Sequence, residues 1–265
     1  MSNIKLFDTH CHLDMLQGEG GAEGAVQRAV ESGVAYMQTI CVTLEGFERV
    51  RQIAAAYPNI VASIGVHPNH VLGASDIASV EQLLEFARDP KVTSLGETGL
   101  DYYHLQTDRA YQKQSFANHI HAAQASGLPL VVHTRDAAQD TLDMLECHMK
   151  EREFGAIIHC FTQDRHFAYK AIDMGFWISF SGIVTFKNAQ EVQFCAANIP
   201  MESMLIETDA PYLAPGPMRG KPNEPAYLVH TAQFLAHLRG VDVQTLALVT
   251  TQNAFDALPK GGSML

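Results

Sequence analysis

The sequence predicts a single (β/α)₈ barrel, and three observations carry that prediction. The chain has 265 residues, close to the roughly 250 typical of the fold. Short apolar runs rich in β-branched residues alternate with helical stretches from one end to the other. Most of those runs end in a histidine or a carboxylate, and a barrel performs its chemistry at the C-terminal ends of its strands.

The elements follow in order. Strands are predicted at Ile4–Phe7, Tyr36–Val42, Ile60–Gly65, Thr93–Gly96, Leu128–Val132, Gly155–His159, Phe176–Phe180 and Met204–Ile206. Their near-continuous apolar character fits parallel strands buried on both faces. Helical patterns fall between them, among them Ala22–Ser32, Leu44–Ala56, Ser79–Ala87, Arg109–Ala125, Ala137–Met149 and Arg165–Met174. Gly33, Gly127 and Gly175 sit where helix C-caps would fall, each shortly before a strand. No low-complexity stretch or Pro/Gly/Ser linker divides the chain, so residues 1–265 are expected to form one domain. A doubly wound open sheet is the structural alternative.

Composition narrows the class. Hydrophobic residues make up 47%, enough for a large core. No apolar run approaches the roughly 18 residues of a membrane span, and the N-terminal segment has no signal-peptide character. Cys11, Cys41, Cys147, Cys160 and Cys195 are scattered and form no CxxC pair, so reduced thiols and a cytoplasmic location are expected. The formal net charge of −11 argues against a non-specific nucleic-acid coat, which needs Lys and Arg to displace counterions. It leaves room for a nuclease whose bound cations reverse the local charge.

The candidate ligands come from the strand ends. His10 and His12 follow the first apolar run, and alternation along a strand points both to one side. Alone, an HxH pair also fits two ordinary histidines at a strand end. Glu97 ends the fourth run, His133 the fifth, His159 the sixth, and Asp209 follows the eighth. Polar residues are expected where buried strands stop, but that accounts for polarity and not for a set made only of metal-ligating types.

The segments FDTHCHLD, IGVHP, GETGLDYY, VVHTRDA, IHCF, ISFSGIVTFKNA, IETDAPYLAP, RGKPNEP and TQNAFDAL run in order over nearly the whole chain. In these the chain resembles the TatD family of metal-dependent deoxyribonucleases. The resemblance implies a barrel, two divalent cations and hydrolysis of DNA phosphodiesters, with exonuclease action in some members. Carried over by position, it makes His10, His12 and Asp209 ligands of one cation and His133 and His159 ligands of the other. Glu97 bridges the two, in place of the carbamylated lysine of related amidohydrolase barrels. The sequence departs from the family pattern at Met218, where a histidine is common, and at Pro222, where a basic residue is expected.

Two cations about 3.5–4 Å apart can clamp the attacking and leaving oxygens and lower the pKa of water from about 15.7 toward about 7. Mg²⁺, Mn²⁺ and Zn²⁺ all suit such ligands in differing degree, and the histidine content favours a transition metal. Besides Glu97, Asp209 is the candidate catalytic residue, either as acceptor of the water proton or as ligand alone. His67, Arg135, Arg219 and Lys221 are candidate substrate contacts, with phosphate as the target. Plainer readings are a loop histidine fixed by Pro68, a salt bridge at the next helix, and a solvated loop.

Asp8 is expected to orient a ligating imidazole, Cys11 to pack away from the cations, and Cys160 to face the helices. Asn253 is expected to anchor the last helix near the mouth. Tyr102, Tyr103 and Phe161 are expected to line an apolar wall rather than stack on bases. The substrate expected is DNA, single-stranded or taken at its ends, with no membrane and no obligate protein partner. A small-molecule amidohydrolase or lactonase on the same metals is the enzymatic alternative, which the basic set Arg135, Arg219 and Lys221 disfavours. A non-catalytic scaffold is the other, which would have no need of six convergent ligands.

Overall fold

Eight parallel strands pair in strict sequence order in a computed structural model that describes residues 5–259. They are β1 (Leu6–Cys11), β2 (Val34–Thr39), β3 (Ile60–Ile64), β4 (Val92–Asp101), β5 (Leu130–Arg135), β6 (Ala156–Ile158), β7 (Trp177–Phe180) and β8 (Met204–Ile206). Helices α1 (Gly21–Glu31), α2 (Phe47–Ala56), α3 (Val80–Phe86), α4 (Arg109–Ser126), α5 (Ala138–Glu151), α6 (Arg165–Asp173) and α7 (Gln190–Asn198) link successive strands. Helices α8 (Leu228–Arg239) and α9 (Val243–Ala257) follow β8. This is the expected barrel, and the open-sheet alternative does not hold.

Several predicted boundaries shift for one physical reason. β1 runs on through Asp8, Thr9 and His10, and β4 through Glu97 to Asp101, all of them buried. The apolar pattern stops at the barrel rim while the backbone pairing continues past it. Ile4, the first residue of the predicted opening strand, lies outside the described residues. The three predicted helix-ending glycines have positive φ of 98°, 73° and 80° at Gly33, Gly127 and Gly175, conformations that glycine adopts at little cost.

The barrel has a sealed end and an open one. Phe7, Val61, Ile157 and Leu205, each the second residue of its strand, form one buried cluster with Ala254, Ala257 and Leu258. Helix α9 thereby plugs the N-terminal end of the barrel. Asn253 Nδ2 donates to Met201 O at 2.7 Å and Met204 O at 2.8 Å, at the start of β8. Asn253 anchors the last helix as expected, but at the end opposite the mouth. Between strands and surrounding helices lies the larger apolar layer, which includes Leu6, Met37, Ile60, Phe116, Ile158 and Phe180.

Closure is made at the open end. Asp209 N donates to His10 O and His12 N to Ala210 O, both at 2.8 Å. Asp8 adds a side-chain clasp, accepting from Thr208 N at 2.9 Å and meeting Thr208 Oγ1 at 2.6 Å. Its other contact is the His10 backbone amide at 3.3 Å, so Asp8 fixes the backbone of β1 rather than orienting an imidazole as expected. Burial pushes its carboxyl up to about 8, against the lowering effect of the Thr208 bonds.

Candidate metal centre

The six expected ligand residues meet at the open end of the barrel. Pairing between β1 and β2 shifts register between Asp8 and Cys11, where His10 emerges. His10 Nε2 and His12 Nε2 are 3.3 Å apart. Asp209 Oδ1 lies 3.6 Å from the first and 3.3 Å from the second. Glu97 Oε2 lies 3.4 Å from His10 Nε2 and 4.0 Å from His12 Nε2. The His10, His12 and Asp209 donor atoms all lie within 4.8 Å of one another, with Glu97 Oε2 beside the two histidines.

The other oxygen of the same carboxylate faces a different set. Glu97 Oε1 is 3.0 Å from His133 Nδ1, 2.9 Å from His159 Nε2 and 3.3 Å from His67 Nε2. Glu97 thus stands between two ligand groups, one oxygen turned to each. This division is what a carboxylate shared by two cations requires.

The protons show whether cations fit. His133 Nε2 faces Asp101 Oδ2 at 3.3 Å, and His159 Nδ1 faces Glu207 Oε1 at 3.1 Å. A neutral imidazole donates one N–H only. If those protons point outward to the acids, both rings turn a bare lone pair toward Glu97 Oε1. Either a proton or a cation must lie between. Without a cation the answer is a proton. Burial opposes charge on both rings, but Glu97 and Glu207 hold His159 well above its ordinary range, and Asp101 and Glu97 raise His133. His10 is lowered by burial and by His159, whereas His12 is raised because its contact with Asp209 outweighs burial. Glu97 and Asp209 are held low despite burial by the surrounding histidines, so both oxygens of each are available to a cation. Nitrogen and carboxylate donors in this ratio suit Zn²⁺, Mn²⁺ or Fe²⁺ better than an all-oxygen site would.

Asp101 and Glu207 were not singled out from the sequence, although both stand in the motifs quoted above. Each fixes the ring of a histidine that faces Glu97, the pattern by which outer carboxylates orient metal-bound imidazoles. Asp101 also accepts from Asn69 Nδ2 at 3.1 Å and meets His104 Nδ1 at 2.9 Å. Glu207 accepts from Cys160 N at 2.7 Å, and its second oxygen is buried without a hydrogen-bond partner among the described residues. Glu207 follows β8 directly, two residues before Asp209, and that position in the IETDAP segment is the signal that could have found it.

The remaining expected residues divide. His67 Nδ1 accepts from Asn69 N at 3.0 Å, so its Nε2 carries the proton and donates toward Glu97. Burial lowers its pKa to about 4, leaving a neutral donor at the cluster. Arg135 is exposed and stacks over the Tyr103 ring, 4.0 Å from its centroid; it forms no ion pair among the described residues. Tyr103 is 61% exposed and does not line the expected apolar wall, which Phe161 does from the core. Tyr102 binds Asp140 Oδ2 through its hydroxyl at 2.6 Å. Arg219 and Lys221 lie exposed on the loop after β8; Arg219 stacks over Phe186 at 5.0 Å, and neither contacts the cluster. Cys11 is buried as expected, with its Sγ 3.4 Å from Gln38 O. Cys160 Sγ is 3.3 Å from Ser181 Oγ, just past the end of β7.

The sequence model of the TatD related DNase family matches residues 7–259. The chain belongs to this family. It is 43% identical over 251 residues to the metal-dependent hydrolase YcfH of Escherichia coli K12, covering 94% of this chain and 93% of that one. It is 32% identical over 253 residues to the 3'-5' ssDNA/RNA exonuclease TatD of Escherichia fergusonii, covering 94% and 96%. Among solved structures, the TatD homologue YjjV of Escherichia coli K12 superposes with a TM-score of 0.89 at 26% identity, over 97% of this chain and 99% of that one. The TatD-like chain is therefore a member of a family of metal-dependent hydrolases, with the fold of that family. No helix among the described residues is long and apolar enough to cross a membrane.

Proposed function

We propose that this TatD-family protein hydrolyses phosphodiester bonds of DNA, taken single-stranded or at a strand end, at a pair of divalent cations. His10, His12 and Asp209 hold one cation, His133 and His159 the other, and Glu97 lies between them. The observation that carries this reading is the division of Glu97, one oxygen toward His10 at 3.4 Å and the other toward His159 at 2.9 Å. When bound, such a pair supplies Lewis acidity to the phosphoryl group and an activated water.

The chain's own residues supply the rest. Asp209, partly open to solvent at the rim and held ionised, is positioned to take the proton of the attacking water. His67, neutral and protonated on Nε2, donates to a phosphoryl oxygen in the space it shares with Glu97 and His133. Asp101 and Glu207 keep His133 and His159 aimed inward. Arg135, on its Tyr103 support, offers a planar cation to the next phosphate along the strand. Tyr212, 53% exposed with its ring 6.0 Å from that of His12, borders the other group of ligands. Arg219 and Lys221 extend the basic rim if the loop after β8 turns toward the strand. The relative named for exonuclease action on ssDNA and RNA supports the substrate class.

The test is turnover of an end-labelled single-stranded oligonucleotide with Mg²⁺, Mn²⁺ or Zn²⁺, beside lactone and amide panels. Cation-dependent removal of nucleotides is expected, abolished in Glu97→Ala and in His133→Ala. Faster turnover of the neutral substrates would point instead to a small-molecule hydrolase.

A further inference from the structure

A second group of metal-ligating side chains lies on the outer ring, between α4 and α5. His121 belongs to α4, while His148 and Glu151 belong to α5 at a spacing of three, which puts them on one face. His148 and Glu151 stand in the last turn of α5, and His121 in the turn before the last of α4. Those turns lie beside the start of the following strands, at the end of the barrel opposite the mouth. The group is therefore separate from the central cluster.

Its geometry is that of a ligand set. One donor atom from each residue lies within 4.8 Å of the other two. His148 Nδ1 is 3.3 Å from Glu151 Oε2, and the His121 and His148 rings stand 5.1 Å apart at 84°. A tetrahedral zinc with bonds of about 2.0–2.1 Å spaces its ligand atoms about 3.4 Å apart. With each ring centre about 1.1 Å beyond its donor nitrogen, the same ion spaces two imidazole centres about 5.2 Å apart. The two observed separations match without movement of either helix.

The group is also held in place. The His148 side chain is 16% exposed, and its carbonyl accepts from Gln124 Nε2 of α4 at 2.9 Å. The same amide donates to Arg152 O at 2.8 Å, tying the end of α5 to α4. The His121 imidazole makes no hydrogen bond or ion pair among the described residues, and its exposure leaves the site open to solvent.

We propose that His121, His148 and Glu151 form a surface site for one divalent cation of the zinc class, with water in the fourth position. Two imidazoles and one carboxylate select Zn²⁺, or the similar Cu²⁺ and Ni²⁺, over Mg²⁺, which demands near-octahedral oxygen ligands. The ion joins α4 to α5, the helices that precede and follow β5 in the chain.

Chelator-stripped full-length protein is dialysed to equilibrium against micromolar zinc with excess Mg²⁺. The parent, His121→Ala and Glu151→Gln are compared for bound zinc, and each variant is expected to carry one equivalent fewer. A His10→Ala, His133→Ala double variant is expected to lose zinc from the mouth and keep the equivalent that His121→Ala removes. Hydrolysis by His121→Ala is expected to equal that of the parent. Equal zinc content in the parent and His121→Ala overturns the proposal, as does loss of all bound zinc in the His10, His133 double variant. Neither result bears on the function proposed for the mouth.

Discussion

Glu207 offers a sharp test of how the centre is held. Its Oε1 takes two hydrogen bonds, from Cys160 N at 2.7 Å and from His159 Nδ1 at 3.1 Å, while its Oε2 is buried and unpartnered. Glu207→Ala orphans two buried donors at roughly 1–3 kcal/mol each, so the ion-free protein should lose about 2–6 kcal/mol. Released from its acceptor, the His159 ring should also bind its cation about 10–100-fold more weakly. Glu207→Gln keeps an acceptor oxygen in the same place and removes a charge whose second oxygen has no partner to lose. That charge helps hold His159 protonated, so Glu207→Gln should lose stability, but less than Glu207→Ala because both donors keep an acceptor. Denaturant unfolding of chelator-treated protein measures the first quantity, and competition with a chromophoric chelator for Zn²⁺ or Mn²⁺ measures the second. If Ala and Gln behave alike in both assays, Glu207 does not act through these two bonds and the reasoning is wrong.

Three further predictions rest on separate observations. Ion binding should release protons at neutral pH, because His159 is held protonated between Glu97 and Glu207 in the ion-free protein; calorimetry in buffers of different ionisation enthalpy should show it, and buffer-independent heats would contradict it. His119, buried with Nε2 accepting from Val66 N at 3.1 Å, has its pKa lowered by burial from 6.5 to about 4. The unfolded chain takes up that proton first as pH falls, so this stability is present above pH 6.5 and lost toward pH 4, by roughly 3 kcal/mol. Chelator-treated His119→Gln should show a correspondingly flatter pH dependence of unfolding, and parallel curves would refute the assignment. Gly65→Ala would set a Cβ 2.5 Å from Gly96 Cα, forcing β3 from β4 just before Glu97, and should destabilise by about 1–3 kcal/mol; an unchanged melting temperature would deny that close approach.

The barrel and the six central residues were legible because two periodic signals coincide at the rim. Apolar runs of strand length stop at His10, Glu97, His133, His159 and Asp209, and alternation puts His10 and His12 together. What was hidden depends on contacts across the chain. Asp8 looked like a partner for an imidazole, but its oxygens are taken by Thr208, 200 residues away. Asn253 gave no sign of which end of the barrel it meets, since the path of α9 depends on the plug around Phe7 and Leu205. Tyr103 follows a buried strand closely and reads as apolar wall, yet the chain leaves the sheet at Asp101 and exposes the ring to Arg135. Asp209 adopts φ of 58°, a left-handed conformation that nothing in IETDAP announces and that helps set where its carboxylate points.

The join between the last strand and the first has a consequence for how the protein matures. Asp209 N meets His10 O in the same few residues that bring Asp209 Oδ1 to His12 Nε2. A ribosome-bound chain that has not yet extruded this segment possesses five of the six central side chains but neither the join nor the sixth. A complete centre therefore first exists when the ring closes, and a half-made barrel lacks one of its six central side chains.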